Sequence, residues 1–192
     1  MKVLIACEFS GKVRNAFTRA GHDAWSCDLL PSLDNSKNHI IGDVLQLLTP
    51  EWDLLIAHPP CTYLCNGAQS NITRRPHLGI LEKRENIGIP LFMNFVNAPI
   101  KSIAIENPIG VMSSRYRKPD QIIRPYMFGH DYNKDVCLWL KNLPKLLPTE
   151  LIPPPYRKLD FWSTERNKNG YSLKSVTFDG IAQAMAQQWG TL

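Results

Sequence analysis

Asp53-Leu54-Leu55-Ile56-Ala57 is apolar without alternation, so as a strand it has to be covered on both faces. Only a sheet held between two helical layers provides that cover. A run of the same kind opens the chain at Val3-Leu4-Ile5-Ala6-Cys7, and another follows at Ser102-Ile103-Ala104-Ile105. After the first run comes a turn at Ser10-Gly11, then Val13, Ala16, Phe17 and Ala20 at helical spacing, stopped by Gly21. Short strands are predicted from Asp23 to Cys27 and over His39-Ile40-Ile41, with a turn of helix over Val44 to Leu48. Strands that alternate with helical segments form βαβ units, hence an α/β fold with a mainly parallel sheet flanked by helices.

The rest of the chain is read in the same way. The polar stretch from Cys61 to Gly79 reads as a long loop, and Ile80 to Val96 as a helix interrupted by Gly88 and Pro90. Asp135 to Leu140 is a further strand, preceded by a turn at Gly129-His130-Asp131. Residues 142 to 178 are rich in proline, with Pro153-Pro154-Pro155 near their centre, and little regular structure is expected there. Gly180 to Ala186 is a strong helix former, expected to dock back on the sheet. The 192 residues are sufficient for a single compact domain, with no internal repeat.

Twenty-two basic against 17 acidic side chains leave a net charge of +5, which favours a polyanionic partner. The basic residues cluster at Arg74-Arg75, at Arg115-Tyr116-Arg117-Lys118, and at Tyr156-Arg157-Lys158 ahead of Phe161-Trp162. Interleaved with aromatics, such stretches can follow a phosphate backbone and stack on bases; each is equally readable as a solvated surface. Five cysteines without a secretion signal argue for reduced thiols, and no apolar run is long enough to span a bilayer. The expected location is the cytoplasm, with no membrane partner.

Ligands of open parallel sheets bind beyond the carboxyl ends of the strands. The residues there are Glu8-Phe9-Ser10-Gly11, Asp28, Asp43, His58-Pro59-Pro60-Cys61 and Glu106-Asn107-Pro108. A glycine after the first strand allows close approach to the backbone, and an acid after the second suits two ribose hydroxyls, so a nucleoside-containing cofactor is suggested. Asp43 could meet an adenine amino group or simply cap the helical turn that follows. Two prolines stiffen the chain ahead of Cys61 and hold its thiol at a strand end, whereas Cys7, Cys27 and Cys137 lie in apolar runs and are assigned to the core. Glu106 ends a neighbouring strand and could face Cys61. A thiolate attacking carbon 6 of cytosine needs nitrogen 3 protonated or hydrogen-bonded, and a carboxylic acid with a raised pKa would do that.

In this order the elements resemble the cytosine-5 DNA methyltransferases across residues 3 to 110. Phe9-Ser10-Gly11 is similar to that family's donor loop, Asp28 to its ribose acid and Gly42-Asp43 to its adenine contact. Pro59-Pro60-Cys61 resembles its nucleophile loop and Glu106-Asn107 its second catalytic element. The segment from Phe128 to Lys141 resembles compact phage-borne members. The resemblance implies a Rossmann-like, S-adenosylmethionine-dependent methyltransferase fold and transfer of methyl to carbon 5 of a flipped cytosine through a covalent Cys61 adduct. It further implies stabilisation of the base by Glu106, a positioning role for Asn107, DNA as partner, and no metal. Donor contacts would come from Phe9, Ser10, Gly11, Val13, Asp28, Asp43 and Pro59, and DNA contacts from Arg74, Arg75, Arg115, Arg117, Lys118 and Lys134.

The chain departs from the family pattern in having Val13 where a second glycine is usual and Pro108 where a valine is usual. It also lacks a clear Gln-Arg-x-Arg element, for which Lys134 and Arg124 are the candidates, and has no separate target-recognition domain. Sequence specificity is therefore expected to be low, or supplied by the basic loops, a homodimer or a partner. Three alternatives are kept. The same thiol chemistry could transfer carboxymethyl from carboxy-S-adenosylmethionine, with Lys12, Asn66 or Arg74 facing the donor's carboxylate. The scaffold could bind DNA without catalysis, or His58, Cys61, Cys65 and His77 could hold zinc, at a spacing that fits poorly.

Overall fold

Apolar side chains on alternate positions of β1 (Lys2–Ala6) leave the sheet in opposite directions, and both sets are fully buried. Val3 and Ile5 enter one core; Leu4 and Ala6 enter the other. The strand β4 (Leu54–Ala57) repeats the pattern, with Leu54 and Ile56 on one side and Leu55 and Ala57 on the other. This computed structural model, in which residues 1–153 and 175–191 are described, thus confirms the two-sided cover. Tyr156-Arg157-Lys158, Phe161-Trp162 and most of the proline-rich segment lie outside the described residues.

The remaining strands are β2 (Asp23–Asp28), β3 (His39–Ile41), β5 (Ser102–Asn107), β6 (Gln121–Ile123) and β7 (Val136–Lys141). They form one seven-stranded sheet in the order β3-β2-β1-β4-β5-β7-β6. Only β7 runs against its neighbours, so the sheet is mainly parallel and the α/β expectation holds. One face is covered by α1 (Lys12–Arg19) and α6 (Asp179–Trp189), which bury Val13, Phe17, Ile181, Met185 and Trp189. Each such side chain stabilises the fold by about 1.5–3 kcal/mol on burial. The other face packs against α4 (Ile89–Val96), where Phe92 meets Trp139 edge to face at 5.1 Å. Among the described residues no helix is long and apolar enough to cross a membrane.

The structure adds elements that the sequence pattern did not predict. The polar stretch after Cys61 contains a nine-residue helix, α2 (Asn66–Arg74), and two short elements, α5 (Met112–Arg115) and β6, follow β5. From Ile80 to Val96 the chain is helical throughout, as α3 (Ile80–Lys83), a π turn over Arg84–Gly88, and α4. Pro90 has no N–H to donate, and the wider π turn immediately before it absorbs the interruption without ending the helix. At Gly88 the helix passes so close to the loop after Cys61 that an added Cβ would lie 3.1 Å from Leu64.

The strand order reverses direction between β1 and β4: β2 and β3 lie to one side, β5, β7 and β6 to the other. At such a switch point the loops leaving the two central strands diverge and open a crevice.

Candidate active site

The loop leaving β1 begins with a strained residue. Cys7 has φ +59°, a left-handed conformation uncommon for a side-chain-bearing residue, and Gly11 has φ +72°. Between them, Glu8 folds under the turn and is buried. Its Oε1 accepts the N–H of Val13 at 2.7 Å and its Oε2 that of Arg14 at 3.2 Å, while the Ser10 hydroxyl donates to Oε1 at 3.3 Å. The N-terminus of α1 is therefore already occupied by a negative side chain. In dinucleotide-binding loops the corresponding N–H groups receive a pyrophosphate; here Glu8 takes that place, and the loop suits a ligand without phosphate. At Gly11 a Cβ would collide with the Arg14 guanidinium.

Asp28 ends β2, with Oδ1 accepting the Leu30 N–H at 3.0 Å; its pKa is raised, because burial outweighs the hydrogen bonds and charge that oppose it. Asp43 follows β3 and caps the helical turn Val44–Leu47 through Oδ1 and the Leu45 N–H, 3.0 Å apart. Burial pushes the Cys7 thiol up, and the charges of Asp28, Cys27 and Asp43 push it further; Cys7 is partly buried against the core, and Cys27 and Cys137 lie fully within it. Leu29 and Ile41 flank these acids with 75% and 63% of their surface exposed, next to exposed Leu45. Acids beside bare aliphatic side chains fit a nucleoside: carboxylates for ribose and amino hydrogens, an apolar surface for a flat base. Phe9 is largely buried, its carbonyl accepting the Leu33 N–H at 2.9 Å. Val13 turns wholly into the core and its N–H is taken by Glu8, so its side chain offers nothing to a donor.

Beyond β4, His58 donates its backbone N–H to Ala6 O at 2.9 Å, which fixes where the two prolines start. Asn107, fully buried at the end of β5, donates Nδ2 to Pro59 O at 2.7 Å and so clamps the nucleophile loop to the neighbouring strand. Cys61 is exposed and lines a cavity of about 90 Å³ with His58, Pro60, Glu106, Lys134 and Phe178. Ile181 and Met185 of α6 line the same cavity. Cys61 and Glu106, singled out separately in the sequence, thus line one cavity at the carboxyl edge of the sheet.

Two groups not assigned to the catalytic set from the sequence also belong here. Cys65 is the N-cap residue of α2, one turn after Cys61, and its backbone N–H donates to Cys61 O at 3.0 Å. The neighbouring Cys61 thiol, with the N–H groups of Gly67 and Ala68 at the start of α2, lowers Cys65 to about 6 against the cost of burial. The proximity of Cys65, burial and the charges of Cys65 and Glu106 raise Cys61. His58 is the second, with Nδ1 3.1 Å from Glu106 Oε2. It changes the expected ionisation of Glu106. Burial favours the protonated acid, but the His58 hydrogen bond and charge, with Lys134, outweigh it, and the pKa is lowered where a raised one was expected. The signal for His58 was its position directly ahead of the prolines that fix Cys61.

The basic residues separate. Lys134 enters the cavity, whereas Arg124 is paired with Asp135 at 2.7 Å. Arg74 and Arg75 are exposed at the far end of α2, about 13 Å along its axis from Cys65. Arg115 pairs with Glu85 at 2.6 Å, Arg117 turns back along β7 to Asp120 and the Leu140 carbonyl, and Lys118 is exposed. Of the side chains considered for a donor carboxylate, Lys12 is held by Asp179 at 2.9 Å and Arg74 is remote. Asn66 follows Cys65 as the first residue of α2. Among the described residues no cluster of His, Cys, Asp or Glu is arranged to hold a metal, and His77 sits on an exposed turn after α2.

Arg84, buried in the π turn, supports the site from behind. Its Nε donates to Tyr63 O at 2.8 Å and its Nη1 to Gln69 Oε1 at 2.7 Å, tying the loop after Cys61 and α2 to the long helix.

No protein-family model and no curated protein sequence matches the chain. Among solved structures it is similar to a candidate DNA modification methyltransferase encoded within an E. coli prophage, with a TM-score of 0.49 and 14% identity, over 87% of this chain and 56% of that one. It is also similar to the Entamoeba histolytica methyltransferase EhMeth, with a TM-score of 0.49 and 15% identity, over 79% of this chain and 57% of that one. The chain spans somewhat more than half the length of each of these two proteins.

Proposed function

We propose that the protein alkylates carbon 5 of cytosine in DNA, with Cys61 as nucleophile, Glu106 as the group that activates the base, and S-adenosylmethionine as methyl donor. The observation that carries this reading is the single cavity shared by Cys61 and Glu106, next to a crevice whose helix terminus is filled by Glu8. An acid-lined, phosphate-excluding crevice suits a cationic sulfonium better than a nucleotide.

The crevice residues divide the binding work. Asp28 would hold the ribose hydroxyls and Asp43 the adenine amino group, with Leu29 and Ile41 against the ring. When bound, the donor supplies one electrophilic methyl group on sulfur. Cys61 Sγ forms a bond to carbon 6, and its proton passes to the neighbouring Cys65 thiolate. Glu106, which takes up a proton from solvent as the base enters, shares it with nitrogen 3 as charge develops there, which directs electron density to carbon 5. After alkylation, the carbon 5 proton passes to solvent and the Cys61–carbon 6 bond breaks with its electron pair returning to sulfur, while nitrogen 3 gives its proton back to Glu106, which restores the aromatic ring. Asn107 keeps the thiol in register through Pro59. Lys134 is positioned to hydrogen-bond an oxygen on the base or a phosphate next to it, and Arg74 and Arg75 to follow the DNA backbone.

The test is the mass of nucleosides from DNA of cells expressing the protein. 5-Methylcytosine is expected, a cytosine heavier by a carboxymethyl group would reassign the donor, and unmodified DNA would overturn the reading. Cys61→Ser is expected to abolish modification while leaving DNA affinity nearly intact.

A further inference from the structure

We propose that His58 is a positioning residue which, by holding one oxygen of Glu106, fixes that carboxylate on the wall of the cavity it shares with Cys61, so that the thiol stays idle until a base enters. The identity of the entering base rests on the reading above; the contact between the two side chains does not.

His58 has little freedom. Its backbone is hydrogen-bonded to β1, two prolines follow it, and its side chain is only 8% exposed. Nδ1 lies 3.1 Å from Glu106 Oε2, a bond that spans the adjacent strands β4 and β5 at their carboxyl ends. Because an ionised carboxylate only accepts, Nδ1 of the imidazole carries a hydrogen, and Nε2 is buried without a partner among the described residues. Oε2 is thereby engaged, and Oε1 is the oxygen left for a ligand. The other groups that face Glu106 are Lys134 from the segment ahead of β7, Cys61 from the loop after β4, and Cys137 from β7. Burial alone would make Glu106 hold its proton; His58 and Lys134 reverse that.

The consequence falls on Cys61. A negative Glu106 beside the thiol favours its protonated form. A free thiolate next to a sulfonium donor would be alkylated itself, so an idle thiol protects the empty site. When the entering base leads Glu106 to take up a proton from solvent and share it with a ring nitrogen, the charge facing Cys61 is relieved and the thiol can ionise. Arrival of the base, rather than of the donor, then arms the nucleophile.

The test needs neither DNA nor donor. In a Cys65→Ser background, the rate of iodoacetamide labelling at Cys61 is followed by peptide mass spectrometry across neutral pH. His58→Leu frees Glu106 to hold its proton, and Glu106→Gln removes its charge. Both are expected to speed labelling, by about tenfold for each pKa unit by which Cys61 falls. His58→Asn, whose amide N–H can replace Nδ1–H, is expected to restore much of the slow rate. In the protein without these two substitutions, 15N spectra of the imidazole should place the hydrogen on Nδ1, with signals that move in Glu106→Gln. Labelling unchanged or slowed in both His58→Leu and Glu106→Gln, or an Nδ1 that carries no hydrogen, overturns the proposal. If labelling responds as expected but no cytosine is modified, the proposed function fails alone; if cytosine is modified through Cys61 but labelling is indifferent, the role of His58 fails alone.

Discussion

Cys65 shows how one turn of backbone changes the chemistry of a thiol. It stands at the N-terminus of α2 beside the Cys61 thiol, and its pKa falls to about 6; Cys61, one turn earlier, shares a cavity with Glu106 and is raised. Because Cys65 is lowered below the ordinary thiol value, its thiolate forms as the pH rises through about 6 and is complete at neutral pH. Iodoacetamide is therefore expected to label Cys65 before Cys61 at neutral pH, with a Cys65 rate that levels off above its pKa. A Cys65 rate still climbing through the ordinary thiol range would contradict this. From the sequence, Cys65 was undecided, because its partner lies in a turn that the polar composition hides. Cys61 and Glu106 were legible because prolines and strand ends mark them. The ionisation of Glu106 was not, since it depends on an imidazole 48 residues away in sequence.

Among the elements, the long apolar strands and the short β3 were legible, and β6, α5 and α2 were not. β6 has three residues, and α2 has no apolar stripe; its helical form depends on contacts such as Gln69 to Arg84. The loop after Cys61 is held by a second close approach at Gly110. The Val111 N–H donates to Leu64 O at 2.9 Å, and a Cβ on Gly110 would overlap that carbonyl. Gly110→Ala must displace the Leu64 backbone, and with it Cys61. Modification is expected to fall by roughly 100-fold, as for a misplacement of about 1 Å, with the fold retained by circular dichroism. A second element-level prediction concerns the loop between β2 and β3. Arg14 is buried and paired with Asp34, and also donates to Ser26 at 2.9 Å. Burial would raise Asp34, but hydrogen bonds from Ser32, Asn15 and Arg14, and the charge of Arg14, lower it strongly. Its contribution is therefore present at neutral pH and is lost as the pH falls through the acid range. Breaking a buried pair costs about 3–5 kcal/mol, and less here because Asp34 is partly in solvent, so Asp34→Ala is expected to cost about 2 kcal/mol in chemical denaturation.

At the scale of the molecule, Asp28, Asp43 and the thiol cavity all lie at the carboxyl ends of strands of one sheet, which the alternation of strands and helices already implied. The contribution of the final helix was only half visible. Its composition predicted docking, but nothing in it showed that Phe178, Ile181 and Met185 would line the cavity as well as the core. α6 also joins the start of the chain, through Lys12 and Asp179, and it buries Trp189 beside α1. The wall of the Cys61 cavity therefore belongs to the same packed unit as α1 and Trp189, so the cavity is complete only when α6 has docked. In stopped-flow refolding, donor binding should recover in step with the change in Trp189 emission, read as the difference from Trp189→Phe, and never ahead of it.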